Sequence, residues 1–145
     1  YLTPEEYFYF IGDLRGQNKA DVDALLLKHE EFFNGEILKN KKYLRDLYKE
    51  KKKKVGIIAT LIGNPEVIIL DEPFANLDPT TVIRLKKIIK ELAENPDVTV
   101  LVSSHDLQHT VEVCDRIVAL NKGEVVKDIQ TSIETLKELE AFFAI

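Results

Sequence analysis

The sequence predicts an α/β fold in which an all-helical half, residues 1–64, leads into an alternating strand–helix half, residues 65–145. Three observations predict it. Val67-Ile68-Ile69-Leu70 is a continuous apolar run, mostly β-branched, bounded by Gly63-Asn64-Pro65 and by Pro73. That is the pattern of a strand buried on both faces of a parallel sheet. A second run, Val98 to Ser103, follows a long amphipathic stretch, as βαβ units require. Upstream of Gly63, apolar residues recur only with a helical period.

In chain order, Thr3-Pro4-Glu5-Glu6 opens a first helix, with Thr as N-cap, Pro at the first position and Glu6 closing a capping box. Tyr7, Phe8, Phe10, Ile11 and Leu14 supply its apolar face, and Gly16 offers the C-terminal stop. Asn18 caps a second helix, apolar at Val22, Leu25, Leu26, Phe32 and Phe33, that ends at Asn34-Gly35. These aromatics are core residues rather than a platform for stacking bases. An irregular stretch, 36–46, precedes a third helix ending near Gly63, whose later half, Val55 to Ile62, is apolar enough to be buried.

The strand at 67–70 is followed by a helix over 79–94, opened by Asp78-Pro79, with Val82, Ile83, Leu85, Ile88, Ile89 and Leu92 toward the core. A strand at 98–103, a helix at 106–114 and strands at 116–120 and 124–128 complete the alternation. Asn121-Lys122-Gly123 joins the last two strands as a hairpin turn. Thr131-Ser132-Ile133-Glu134 reads as a capping box for a final helix carrying Leu136, Leu139 and Phe142.

The 145 residues are enough for one cored domain or a large part of one. With 45% hydrophobic and 31% charged residues, the composition excludes a disordered chain and a coiled coil. A net charge of −5 argues against nucleic acid as a partner. Cys114 has no second cysteine to pair with and fits a reducing compartment. No apolar run approaches the roughly 18 residues that span a bilayer, and no signal peptide is evident, so the expected location is the cytoplasm. The chain has no methionine and opens at Tyr1, which reads as a trimmed or truncated piece of a longer frame.

Asp71 and Glu72 stand where the first strand ends, the place where open α/β sheets gather ligands. Two adjacent carboxylates repel each other unless a cation or a proton is near. Asp71 then belongs to a Mg²⁺ shell and Glu72 to polarising a water; the competing reading is an acidic pair opening a surface turn. Ala75-Asn76-Leu77-Asp78 follows, and the second strand ends in Ser103-Ser104-His105-Asp106. His105 and His109, four apart, superficially match a zinc helix. His105 follows directly on a strand, however, Asp stands where that motif has Glu, and no third ligand is evident. His109 and His29 read as ordinary helix-surface residues.

In this order and spacing, the segments resemble the ABC-type ATPases. NPEVIILDEP resembles their Walker B segment, Ala75 to Asp78 their D-loop, and Ser103 to Asp106 their switch-histidine loop. The resemblance implies a partial P-loop NTPase core, residues 65–145, with part of the α-helical subdomain in residues 1–64. It implies ATP and Mg²⁺ as cofactors, with Asp71 holding the metal through water and Glu72 orienting or deprotonating the attacking water. His105, as a neutral imidazole, would sense the γ-phosphate; a locally bonded turn histidine is the competing reading. Asp78 and the backbone near Ala75 would touch a second nucleotide-binding subunit. The other implied partner is a transmembrane permease, which places the protein on the cytoplasmic face of the membrane.

Two departures accompany the resemblance. The glycines, at 12, 16, 35, 56, 63 and 123, include no two spaced five apart, so the phosphate-cradling G-x-x-x-x-G-K-[ST] loop is absent and the chain alone is expected to be inactive. The family's serine- and glycine-rich signature aligns with Leu47-Tyr48-Lys49-Glu50-Lys51, where Tyr48 and Glu50 obstruct close approach to a phosphate. Lys51 to Lys54 offer two readings, an electrostatic phosphate contact or a solvated basic helix face. The departures also support a second function, a non-catalytic half-domain acting as an interaction or regulatory module. A soluble relative in DNA repair or translation is a third, which no coiled-coil insertion or basic face favours. Without a neighbouring Walker A strand, strand 98–103 is expected to fill its open edge by strand exchange, dimerisation or collapse of the 116–128 strands.

Overall fold

The computed structural model describes residues 1–39 and 41–144. Asn40, within the irregular 36–46 stretch, and Ile145, which ends the 65–145 half, lie outside the described residues. The chain opens with α1 (Pro4–Leu14), N-capped by Thr3, and α2 (Lys19–Lys28), whose capping box is formed by Asn18 and Asp21. The predicted long second helix breaks at His29, which ends α2 and starts the short α3 (Glu30–Phe33). A 3-10 turn at Leu44–Asp46 leads into α4 (Lys49–Leu61). The orphan carbonyls at the end of α4 are met by Arg15, whose Nη1 donates to Thr60 O at 3.2 Å and Ile62 O at 2.8 Å.

The second half contains β1 (Val67–Asp71), α5 (Pro79–Ala93), β2 (Thr99–Ser103), α6 (Leu107–Val113), β3 (Arg116–Asn121), β4 (Glu124–Gln130) and α7 (Thr135–Phe143). β1 and β2 pair in parallel, Val67 beside Thr99 through Asp71 beside Ser103. β3 and β4 form the antiparallel hairpin, turning through Lys122 and Gly123 at positive φ. One continuous core joins Phe8, Phe33, Ile37 and Ile58 of the helical half to Leu70 and Leu85 of the other. A smaller one places Leu139 of α7 on Ile117 and Ala119 of β3.

Several expectations are corrected. β1 is buried on one face only: Ile68 and Leu70 face the core, while Val67, Ile69 and, on β2, Leu101 are 61%, 66% and 60% exposed. The apolar run satisfies a two-faced requirement, but no described element covers the outer face. The β3–β4 hairpin forms a separate sheet and does not collapse onto the open edge of β2. Of the α1 face, Phe8 is buried, but Phe10 and Leu14 are exposed, as is Ile83 on α5. The Thr131–Glu134 capping box does not form. Thr131 Oγ1 donates instead to Cys114 O at 2.6 Å, and the Thr135 hydroxyl accepts from Ser132 N at 2.8 Å, so the turn is tied back to the end of α6. Among the described residues no helix is long and apolar enough to cross a membrane.

Candidate functional site

Parallel pairing in register brings both strand ends to one edge, so Asp71 lies beside Ser103. Ser103 joins them: its Oγ donates to Asp71 Oδ1 at 2.5 Å and accepts from the Glu72 amide at 3.0 Å. The same amide points at Ser103 O, 3.1 Å away. Glu72 has a φ of 47°, left-handed for a residue with a side chain, which ends the strand abruptly. The chain doubles back through Pro73 and Phe74, closed by Ala75 N donating to Glu72 O at 3.3 Å.

After β2, Asp106 caps α6 by accepting from His109 N at 2.9 Å, while Ser104 Oγ accepts from Asp106 N at 3.0 Å. His105, between these two bonds, projects outward and its Nδ1 lies 2.8 Å from Glu72 Oε1. Hydrogen bonding to Glu72, reinforced by that carboxylate's charge, raises the imidazole pKa above its usual value. The pair therefore favours the protonated ring more than water does for a free imidazole.

Lys53 of α4 makes contacts that neither reading of the lysine run anticipates. Its Nζ donates to Glu72 O at 2.5 Å and to Ala75 O at 2.6 Å. The solvated-face reading of the lysine run is corrected for Lys53 and Lys54. Lys54 is buried, 3.8 Å from Glu36 and 5.9 Å from the Phe32 ring centre, and Lys52 Nζ donates to Arg45 O at 3.1 Å. Three of the four lysines therefore make contacts that tie the chain to itself. The expected strands 67–70 and 98–103 run into Asp71 and Ser103, which marks the edge where these residues meet; within the Lys51–Lys54 run no signal singles out Lys53.

Of the other predicted residues, Asp78 N-caps α5, its Oδ1 accepting from Thr81 N at 2.9 Å. Bonds from Thr81, with the Lys54 ammonium also acting on it, hold its carboxyl below the usual range. Glu50 is brought to Asp78 within one chain. Tyr48 starts α4 without a side-chain capping bond and is 79% exposed, and Lys49 is exposed beside it. The structure joins neither to Glu72 or His105 by a hydrogen bond or ion pair. His109 and His29 are corrected as well. The His109 ring lies 5.2 Å from Phe74 with its Nδ1 buried and unpartnered among the described residues, and His29 is 7% exposed.

A divalent cation has one protein carboxylate to use here. Ser103 engages Oδ1 of Asp71, and among the described residues no cluster of three His, Cys, Asp or Glu could hold a metal. Mg²⁺ fits such a donor set, because it commonly keeps several waters and completes its shell with substrate phosphate oxygens.

No protein-family model matches the chain. Its fold is that of ABC ATPase domains. A solved ATP-binding subunit of an ABC transporter superposes with a TM-score of 0.78 at 25% identity, over 99% of this chain and 57% of that one. An ABC transporter ATP-binding protein of Methanocaldococcus jannaschii is 36% identical over 119 residues, 81% of this chain and 44% of the relative. The ABC transporter ATP-binding protein YhaQ of Bacillus subtilis is 34% identical over 136 residues, 94% of this chain and 44% of its own length. The chain belongs to the ABC transporter ATP-binding protein family. It spans a little under half the length of these curated relatives.

Proposed function

We propose that the chain forms the hydrolytic side of an ATP site in the ATP-binding subunit of an ABC transporter. The observation that carries this reading is the Glu72–His105 pair, set beside Asp71 by the β1–β2 register. Asp71 would hold Mg²⁺, which would supply charge neutralisation of the phosphates. Glu72 has one oxygen on His105 and offers the other to the attacking water, whose proton it accepts. His105 presents Nε2–H to the γ-phosphate and, when protonated, does so as a charge-assisted donor. The remaining phosphate contacts come from a P-loop that this sequence does not contain.

Asp78, Tyr48, Lys49 and Glu50 face the second nucleotide-binding subunit in this reading. Tyr48 and the Glu50 carboxylate weaken any phosphate contact from that side. The exposed Phe10 and Leu14 of α1 serve the docking of a membrane permease, and the protein works on the cytoplasmic side of the membrane.

The test is Glu72→Gln in the complete ATPase subunit. Removing a general base lowers turnover by about 100-fold or more, with MgATP binding kept. Unchanged turnover overturns the reading and favours the interaction module. The chain alone is expected not to bind MgATP stoichiometrically, which calorimetry measures directly.

A further inference from the structure

Glu72 stands in a conformation that its side chain disfavours. β1 delivers Asp71 in extended geometry, and the next residue, at a φ of 47°, turns the chain out of the strand. A strained φ of this kind persists only where neighbours over-determine it. On the amide side the determinant is Ser103, through its carbonyl and its hydroxyl. On the carbonyl side it is Lys53. The carbonyls of Glu72 and Ala75 both aim at one ammonium, at 2.5 and 2.6 Å, so the turn 72–75 is clamped across its mouth.

We propose that Lys53 is a positioning residue for Glu72, holding the left-handed turn that points the carboxylate at His105. The geometry supports this over a general stitch between α4 and the sheet. A stitch needs one contact anywhere along β1, whereas Lys53 reaches past the strand to two carbonyls of the turn itself. Its ammonium is partly shielded, which strengthens bonds to carbonyl oxygens, and the charges of Glu72 and Asp71 act on it. The arrangement makes α4, the helix that begins at Tyr48, a direct mechanical neighbour of the carboxylate. A displacement of α4 along its axis moves the two carbonyls that set the direction of Glu72. The catalytic consequence rests on the role proposed for Glu72; the clamp does not.

Amide hydrogen exchange of this chain, followed residue by residue by NMR, tests the clamp. Lys53→Met keeps the aliphatic stem and removes the donors. It is expected to speed exchange at the Glu72 and Ala75 amides about tenfold or more, with Ile58 in α4 and Ile68 in β1 unchanged. Lys53→Arg, which can still donate to both carbonyls, restores slow exchange. Equal acceleration everywhere, or none at the two turn amides, overturns the proposal. Where the Met variant does not fold, the unmodified chain decides: a slowly exchanging Lys53 ammonium signal coupled to the Glu72 and Ala75 carbonyl carbons supports the clamp, and its absence refutes it. In the complete subunit, Lys53→Met lowers kcat with KM little changed. If Glu72→Gln leaves turnover intact, the role of Glu72 fails while the exchange result still judges Lys53.

Discussion

Among the described residues His105 is held by one side-chain hydrogen bond, to Glu72, and that bond is the main influence on its proton. The ring is largely exposed, so its shift comes from the carboxylate and not from burial. An NMR titration of the His105 ring protons is expected to give a midpoint above 6.5, the usual value for histidine. Glu72→Gln removes the largest cause of the shift and lowers the midpoint toward the usual histidine value, with Asp106 still acting on the ring. Raising the salt concentration moves the unmodified protein the same way, since exposed pairs are screened. A midpoint insensitive to Glu72→Gln shows that the pair does not persist in solution. At this scale Asp71, Glu72 and His105 were legible because strand ends are easy to place and parallel strands carry their ends to one edge. Lys53 was not. Its run of four lysines reads as a solvated face, and only the turn of α4 relative to β1 separates the one that reaches the carboxylate loop from its neighbours.

Among the elements, α1 and α2 meet at Gly12, which has a close-packing role. A Cβ there would stand 2.6 Å from Val22 Cγ2, a β-branched side chain buried against α1. Val22 has little rotamer freedom with which to retreat. Gly12→Ala is therefore expected to destabilise the chain by about 1–2 kcal/mol, because overpacking outweighs the roughly 1 kcal/mol that alanine gains in helix propensity. Denaturant unfolding of Gly12→Ala, Val22→Ala and the double variant reads the coupling; a cost in Gly12→Ala that Val22→Ala does not relieve points to some other cause. Helix starts were legible here because Thr3, Asn18 and Asp78 each cap through the expected short polar side chain. The Thr131–Glu134 start failed because a tertiary partner, the Cys114 carbonyl, took the Thr131 hydroxyl. The two-faced reading of β1 failed for a different reason: an apolar run states what a strand tolerates, and the chain present decides what covers it.

Across the whole molecule, two histidines make stability depend on pH in opposite directions. His105 has a folded pKa above 6.5, so its contribution is complete below 6.5 and disappears as pH rises through the folded value. His29 sits buried between the two halves, beside Lys28 and near Glu91. Burial, helped by Lys28 and opposed by Glu91, pushes its pKa down. The unfolded chain then takes up this proton more readily than the fold, so stability is complete above 6.5 and falls as pH drops from 6.5 through the folded value. The two do not cancel, because an exposed, screened pair contributes little, whereas a neutral ring at a buried junction must be desolvated when charged. Between pH 7 and 5, chemical denaturation is expected to show a net loss of stability. His29→Gln, which cannot be protonated, flattens that loss at some cost in packing at all pH values, while His105→Gln leaves the acid limb in place. An acid limb that survives His29→Gln unchanged would mean that the protons enter elsewhere, and the junction between the helical and α/β halves would then not be where acid first opens this fold.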